Sequence, residues 1–206
     1  MLTLNQVKNY WQYSLSIERS LERTTDFVEV CSDNDMTYSF EYAKIIMLAC
    51  SEIDVLCRIL CKEISQSSDF ESPDTRTGNI KRYAEIILPK FPKLTTFEFY
   101  NTKKQCNIIP FDGWVLSPTY CSPVWWDDYQ LIKHYRHSEY TRATQSNAFH
   151  SMAGLITLNL YLHRLIADKP YANPYPQPNL FNTSVFSPFM LCRANDELPD
   201  FEAVVE

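Results

Sequence analysis

The 206-residue sequence predicts a mainly α-helical bundle of about five helices, with a small β-hairpin insert and an extended C-terminal tail. Three observations carry that prediction. Phe40, Ala43, Ile46, Met47, Cys50, Ile53, Cys57, Leu60 and Ile64 recur mostly three and four residues apart, the spacing of one helix face. Two short runs rich in aromatic and β-branched residues flank the polar turn Asn101-Thr102-Lys103-Lys104. Beyond residue 169, Pro170, Pro174, Pro176, Pro178 and Pro188 forbid any regular helix.

Thr3-Leu4-Asn5-Gln6 fits a capping box, so a first helix runs from about Leu4 to about Val28 with Val7, Trp11, Leu15 and Leu21 inward. After the polar break Ser32-Asp33-Asn34-Asp35, a second helix spans about Tyr38 to Ile64, antiparallel to the first, with Glu41, Lys44, Glu52, Arg58 and Lys62 on its wet side. Ser65 to Gly78 is a polar surface loop. A third helix, about Asn79 to Leu88, ends before Pro89. The hairpin insert occupies about 94–109. Ser122-Pro123 supplies a hydroxyl cap and a proline at the first helical position, where its missing N–H costs nothing, for a helix reaching about His137. The last helix spans roughly Thr144 to Ile166 and Lys169-Pro170 stops it. The chain thus divides into a bundle over 1–169 and a tail over 170–206 packed on it, with a short strand near Val185.

Composition excludes several functions. Gly78, Gly113 and Gly154 are the only glycines and lie far apart, so neither a dinucleotide fingerprint nor a phosphate-binding P-loop exists. With 25 acidic and 19 basic residues the net charge is −6, which argues against a whole-surface nucleic-acid binder but leaves room for a local basic groove. Seven cysteines, three of them within the apolar helical pattern of the second helix, fit a reduced, cytoplasmic setting; the N-terminal residues show no export signal. The stretches 143–163 and 170–192 lack charge, yet the first is too polar and the second too proline-rich to span a membrane. Cys50, Cys57 and Cys61 read as small core hydrophobes, and neither a metal nor another cofactor is expected. Asp127 and Asp128 point to different sides of their helix and suit its positive end rather than a shared substrate.

Chemistry concentrates in Trp125-Trp126-Asp127-Asp128-Tyr129-Gln130-Leu131-Ile132-Lys133-His134-Tyr135-Arg136-His137. On a helix, Trp126, Tyr129, Lys133, His137 and Tyr140 form one aromatic and basic stripe with Arg136, while Trp125, Ile132 and Tyr135 suit the core. Rings that stack on bases beside cations that track phosphates suit a nucleic-acid strand. A plainer account also holds: cations in a last turn complement the helix dipole, and tryptophans fill cores. In the last helix, Asn147, His150, Gly154, Thr157, Tyr161 and Arg164 share one polar, small-residue line on an otherwise apolar helix. That line either faces water or meets a matching surface, with Gly154 allowing close approach, as at a two-fold seam.

The series Trp125-Trp126-x-x-Tyr129-x-x-x-Lys133-His134-x-Arg136, followed by Arg142-Ala143-x-x-x-Asn147-Ala148, resembles HEPN domains (higher eukaryotes and prokaryotes nucleotide-binding), most clearly over 123–166. The resemblance implies an all-α homodimer, and in many members a metal-independent ribonuclease of defence or toxin systems with its site at the dimer seam. The usual signature is an Arg, four to six residues, then a His. Here Arg142 is followed after four residues by Asn147 and after seven by His150, while Lys133-His134-x-Arg136 resembles a variant form. On that basis His134, Arg136, Arg142, Asn147 and His150 are candidate catalytic residues. His134 or His150 would move protons, Arg136, Arg142 and Lys133 would stabilise phosphate charge, and Asn147 would orient. Trp126, Tyr129, Lys133 and His137 are candidate RNA-binding residues. Two other functions stand beside it: a non-catalytic dimeric scaffold for a protein partner or nucleotide, and a small-molecule or peptide binder using Tyr171 to Phe189 as a lid.

Overall fold

A computed structural model describes residues 2–70, 78–167, 173–183, 185 and 200–201. Five helices carry it: α1 (Leu4–Thr24), α2 (Phe40–Ser65), α3 (Ile80–Lys90), α4 (Val124–Glu139) and α5 (Gln145–Ala167). Three short strands complete it: β1 (Phe99–Asn101), β2 (Cys106–Ile108) and β3 (Phe181–Asn182). The expected mainly α bundle with a small β insert is what forms.

The capping box starts α1: the Thr3 hydroxyl accepts from the Gln6 N–H, and the Gln6 side chain accepts from the Thr3 N–H at 2.9 Å. The Ser39 and Asn79 side chains cap α2 and α3 by accepting from the Tyr42 and Arg82 N–H groups, without the reciprocal bond. The Leu2 N–H donates to Glu63 near the end of α2, so α1 and α2 are antiparallel. α5 is the central helix, with every residue from Ala153 to Arg164 buried. Its first turn is closed by the connection between α1 and α2. Gln145 N–H donates to Thr37 O (2.8 Å), Ser146 N–H to Asp35 O (3.0 Å), and Thr144 Oγ1 accepts from Asn147 N–H. These bonds satisfy donors that a helix start otherwise leaves without partners.

The insert is smaller than expected, because Pro92–Thr96 forms a 3₁₀ turn before β1. β1 pairs antiparallel with β2 in the register Phe99↔Ile108 and Asn101↔Cys106. Asn101 Oδ1 accepts from the N–H groups of Lys103 and Lys104 and so builds the turn.

Five expectations need correction. Pro89 lies inside the last turn of α3, where the helix loses one N–H yet still closes through Phe91 N–H to Ile87 O at 2.8 Å. Pro123 is the residue flanking α4 rather than its first helical position, and the Ser122 hydroxyl bonds the Asp127 carboxylate instead of the backbone. Phe40 is 74% exposed: it opens α2 and its ring stacks on Tyr140 at the surface rather than in the core. Tyr135 is 56% exposed: its φ of −133° and ψ of 33° kink α4 and turn it away from the core. Finally, part of the tail supplies core. Leu180 and Phe181 are fully buried, and β3 pairs with β1. Trp11 Nε1 donates to Pro176 O, Glu18 accepts from Leu180 N–H, and Asn179 donates to Glu22. The helix stop at 169–170, half of the loop over 65–78, both neighbours of Val185 and part of the lid over 171–189 fall outside the described residues.

Candidate functional site

The candidate residues separate into four places. Lys133, His134, Arg136 and His137 occupy the last turns of α4 and are all exposed. Among the described residues, none of the four makes a hydrogen bond or ion pair; Lys133 Nζ lies 5.6 Å from the Tyr129 ring and His134 touches the Tyr135 ring. The kink at Tyr135 sits in the middle of this series, so the four side chains project across both halves of the bent helix end.

Arg142 and Asn147 form a second group around Asp128. The Asp128 carboxylate accepts from Arg142 at 2.6 Å through Oδ1 and from Asn147 Nδ2 at 2.8 Å through Oδ2. Arg142 also donates to Glu139 at 2.6 Å, and Asn147 to the Arg142 carbonyl at 2.9 Å. Its bonds to Glu139 and then Asp128 push the guanidinium pKa further up, so the charge is fixed. The Arg142 side chain is 44% exposed and Asp128 14%. Asn147 is at the edge of full burial, with both its partners internal. This cluster ties the start of α5 and the turn Tyr140–Arg142 to α4.

His150 belongs to a third place. It lies against Val30, Asp35, Lys104, Ser146 and Phe149 around a cavity of about 70 Å3, room for roughly two waters and far too little for a nucleotide. Burial lowers its pKa, against the opposing pull of the Ser146 carbonyl 2.8 Å from Nδ1, so the ring is neutral at neutral pH with Nδ1–H donating to that oxygen. Lys104 is held there by both oxygens of Asp35 at 2.6 Å.

The two ring-bearing binding candidates are displaced from the expected surface. Trp126 and Tyr129 are each 4% exposed and pack 5.2 Å apart in the core, so neither offers a face to a base. Burial raises the Tyr129 hydroxyl pKa to about 12. The polar line on α5 is likewise internal. Thr157 and Tyr161 are fully buried, and the close approach at Gly154 is made within the chain: a Cβ there would meet Trp125 Cζ2 at 3.1 Å. Trp125 is fixed by its indole N–H on Pro110 O.

Cys50, Cys57 and Cys61 are buried, and burial raises the pKa of all three thiols. Among the described residues, no group of His, Cys, Asp or Glu is placed to hold a metal ion, and no helix is long and apolar enough to cross a membrane.

Sequence reasoning placed Asp128 only at the positive end of its helix and missed its partners Arg142 and Asn147. It lies 14 positions before Arg142 and 19 before Asn147, too far for helical spacing to pair them. The chain matches no protein-family model, no curated protein and no solved structure in the three comparisons.

Proposed function

We propose that this chain is a HEPN-like, metal-independent ribonuclease of a defence or toxin system, acting in the cytoplasm as a homodimer, whose RNA-contacting surface is the exposed end of α4. One observation carries the reading: Lys133, His134, Arg136 and His137 crowd one helix end, exposed and, among the described residues, without a side-chain hydrogen bond or ion pair, on a chain of net charge −6. An unpaired cation can meet a phosphate without first breaking an internal ion pair. In this reaction a base removes the proton of a ribose 2′-hydroxyl. The oxygen then attacks the adjacent phosphorus, and an acid protonates the departing 5′-oxygen, leaving a 2′,3′-cyclic phosphate. His134 moves the protons, Arg136 faces the charge that grows on phosphorus, and Lys133 and His137 hold the flanking phosphates. Arg142 and Asn147, engaged by Asp128, act as positioning residues for the helix end.

The test is cleavage of a labelled single-stranded RNA in the presence of EDTA. Wild type is expected to cut, and His134→Ala to lose about 100-fold or more in rate. Equal rates in wild type and His134→Ala would overturn the assignment.

A second reading, a non-catalytic dimeric scaffold for a protein partner or nucleotide, is favoured by a different observation. Arg142 and Asn147 are engaged with Asp128, and His150 lines a separate small cavity. It predicts no cleavage by any variant and a stable dimer in sedimentation.

A further inference from the structure

We propose that the surface formed by the end of α1, the start of α2 and the connection between them is a docking site for a basic, amphipathic helix of a partner protein. This surface is independent of the RNA reading. Phe27 is 87% exposed, Met36 74%, Phe40 74% and Tyr38 48%. Single exposed apolar side chains are ordinary on a protein surface, but four within 14 residues are not. Beside them lies a groove of about 540 Å3 bounded by Ser20, Arg23, Thr24, Phe27, Ser39 and Tyr42.

The groove is built on a fixed frame. The connection is pinned to the start of α5 through Asp35 O and Thr37 O, Tyr38 bridges to Thr144, and the Phe40 ring stacks on Tyr140 at 4.8 Å. A rigid apolar surface needs little ordering when a partner arrives.

Charge identifies the partner's chemistry. Residues 26–41 contain Asp26, Glu29, Asp33, Asp35 and Glu41 and no Lys or Arg. Lys104 neutralises Asp35, and Lys44 pairs with Glu41. Among the described residues, Asp26, Glu29 and Asp33 have no ion-pair partner and are exposed, against the one cation, Arg23, on the groove wall. Such a field repels RNA and anionic lipid and attracts Lys and Arg flanking apolar anchors. Backbone bonding selects the partner's form. The N–H groups of Asn34, Asp35, Thr37 and Ser39 are already bonded within the chain, so no strand edge is offered. A partner that satisfies its own backbone and inserts apolar side chains one turn apart is a helix.

The test uses a labelled helical peptide of about 20 residues, with leucines at i, i+3, i+4 and i+7 and lysines elsewhere, against the full chain. A second peptide carries glutamate in place of each lysine. The lysine peptide is expected to bind at least about tenfold tighter than the glutamate peptide, and Phe27→Ser or Met36→Ser to weaken it by about tenfold. Val124→Ser, equally exposed at the far end of α4, is expected to bind as wild type. Both side chains are exposed, so thermal melts of these variants stay at the wild-type value. Equal binding of the two peptides, or unchanged binding by Phe27→Ser and Met36→Ser, would overturn the proposal. So would a wild-type dimer that Phe27→Ser converts to monomer.

Discussion

Removing the Asp128 carboxylate is the sharpest probe of how the α4–α5 junction is held. Asp128→Ala deletes two bonds of different value. The bond to Asn147 Nδ2, 2.8 Å long, joins a largely buried carboxylate to a buried amide, and a hydrogen bond to a charged group in such a place contributes about 1.5–3 kcal/mol. The bond to Arg142 reaches a guanidinium that is 44% exposed, where solvent screening leaves little net stabilisation. Asp128→Ala is therefore expected to cost about 1.5–3 kcal/mol, chiefly through Asn147. Arg142→Ala, losing only solvent-screened pairs to Asp128 and Glu139, is expected to cost clearly less than Asp128→Ala. Urea unfolding of both variants, with the slope held common, reads the difference. An Arg142→Ala loss as large as that of Asp128→Ala would refute the view that the cluster is anchored through Asn147.

Two further outcomes follow from the packing. Glu18 has its pKa raised from the usual carboxylate value to about 6, chiefly by burial and against the lowering effect of the Leu180 N–H it accepts. The folded protein therefore binds this proton more tightly than the unfolded chain does. Its contribution is fully present below about pH 4.5 and is lost as pH rises through about 6, a difference of about 2 kcal/mol. Glu18→Gln is expected to remove that slope from stability measured against pH; an unchanged slope would contradict it. At Gly154, Gly154→Ala is expected to change stability by less than about 1 kcal/mol, because improved helix propensity offsets a 3.1 Å contact with Trp125. Gly154→Val is expected to lose about 2–3 kcal/mol by overpacking, read by thermal melting.

Local signals in the sequence mapped well onto local structure. The Thr3–Gln6 box, the run of three- and four-residue spacings after Phe40 and the turn at 101–104 each depend on neighbours a few residues away, and each appears where expected. The failures are of another kind. Spacing places Trp126, Tyr129, Lys133 and His137 on one stripe but does not say what that stripe meets; its first half faces the core and its second half solvent. The kink at Tyr135 changes the face of every later side chain in α4. Gly154 was legible as a close-approach site, yet the object approaching it, Trp125, lies 29 positions away in the same chain. Leu180 and Phe181 reach the core from a proline-rich segment whose composition carries no helical or strand period. Asp128 joins Arg142 and Asn147 only after α4 and α5 have packed.

The account stands most directly on whether the end of α4 holds RNA. The deciding measurement is the salt dependence of single-stranded RNA binding by wild type and by the double variant Lys133→Ala/Arg136→Ala. Two phosphates neutralised by these side chains give a slope of log K against log salt that is steeper by about 1.4 in wild type. The account predicts that the double variant loses this increment along with most of its affinity. Identical slopes and affinities in the two proteins would contradict it.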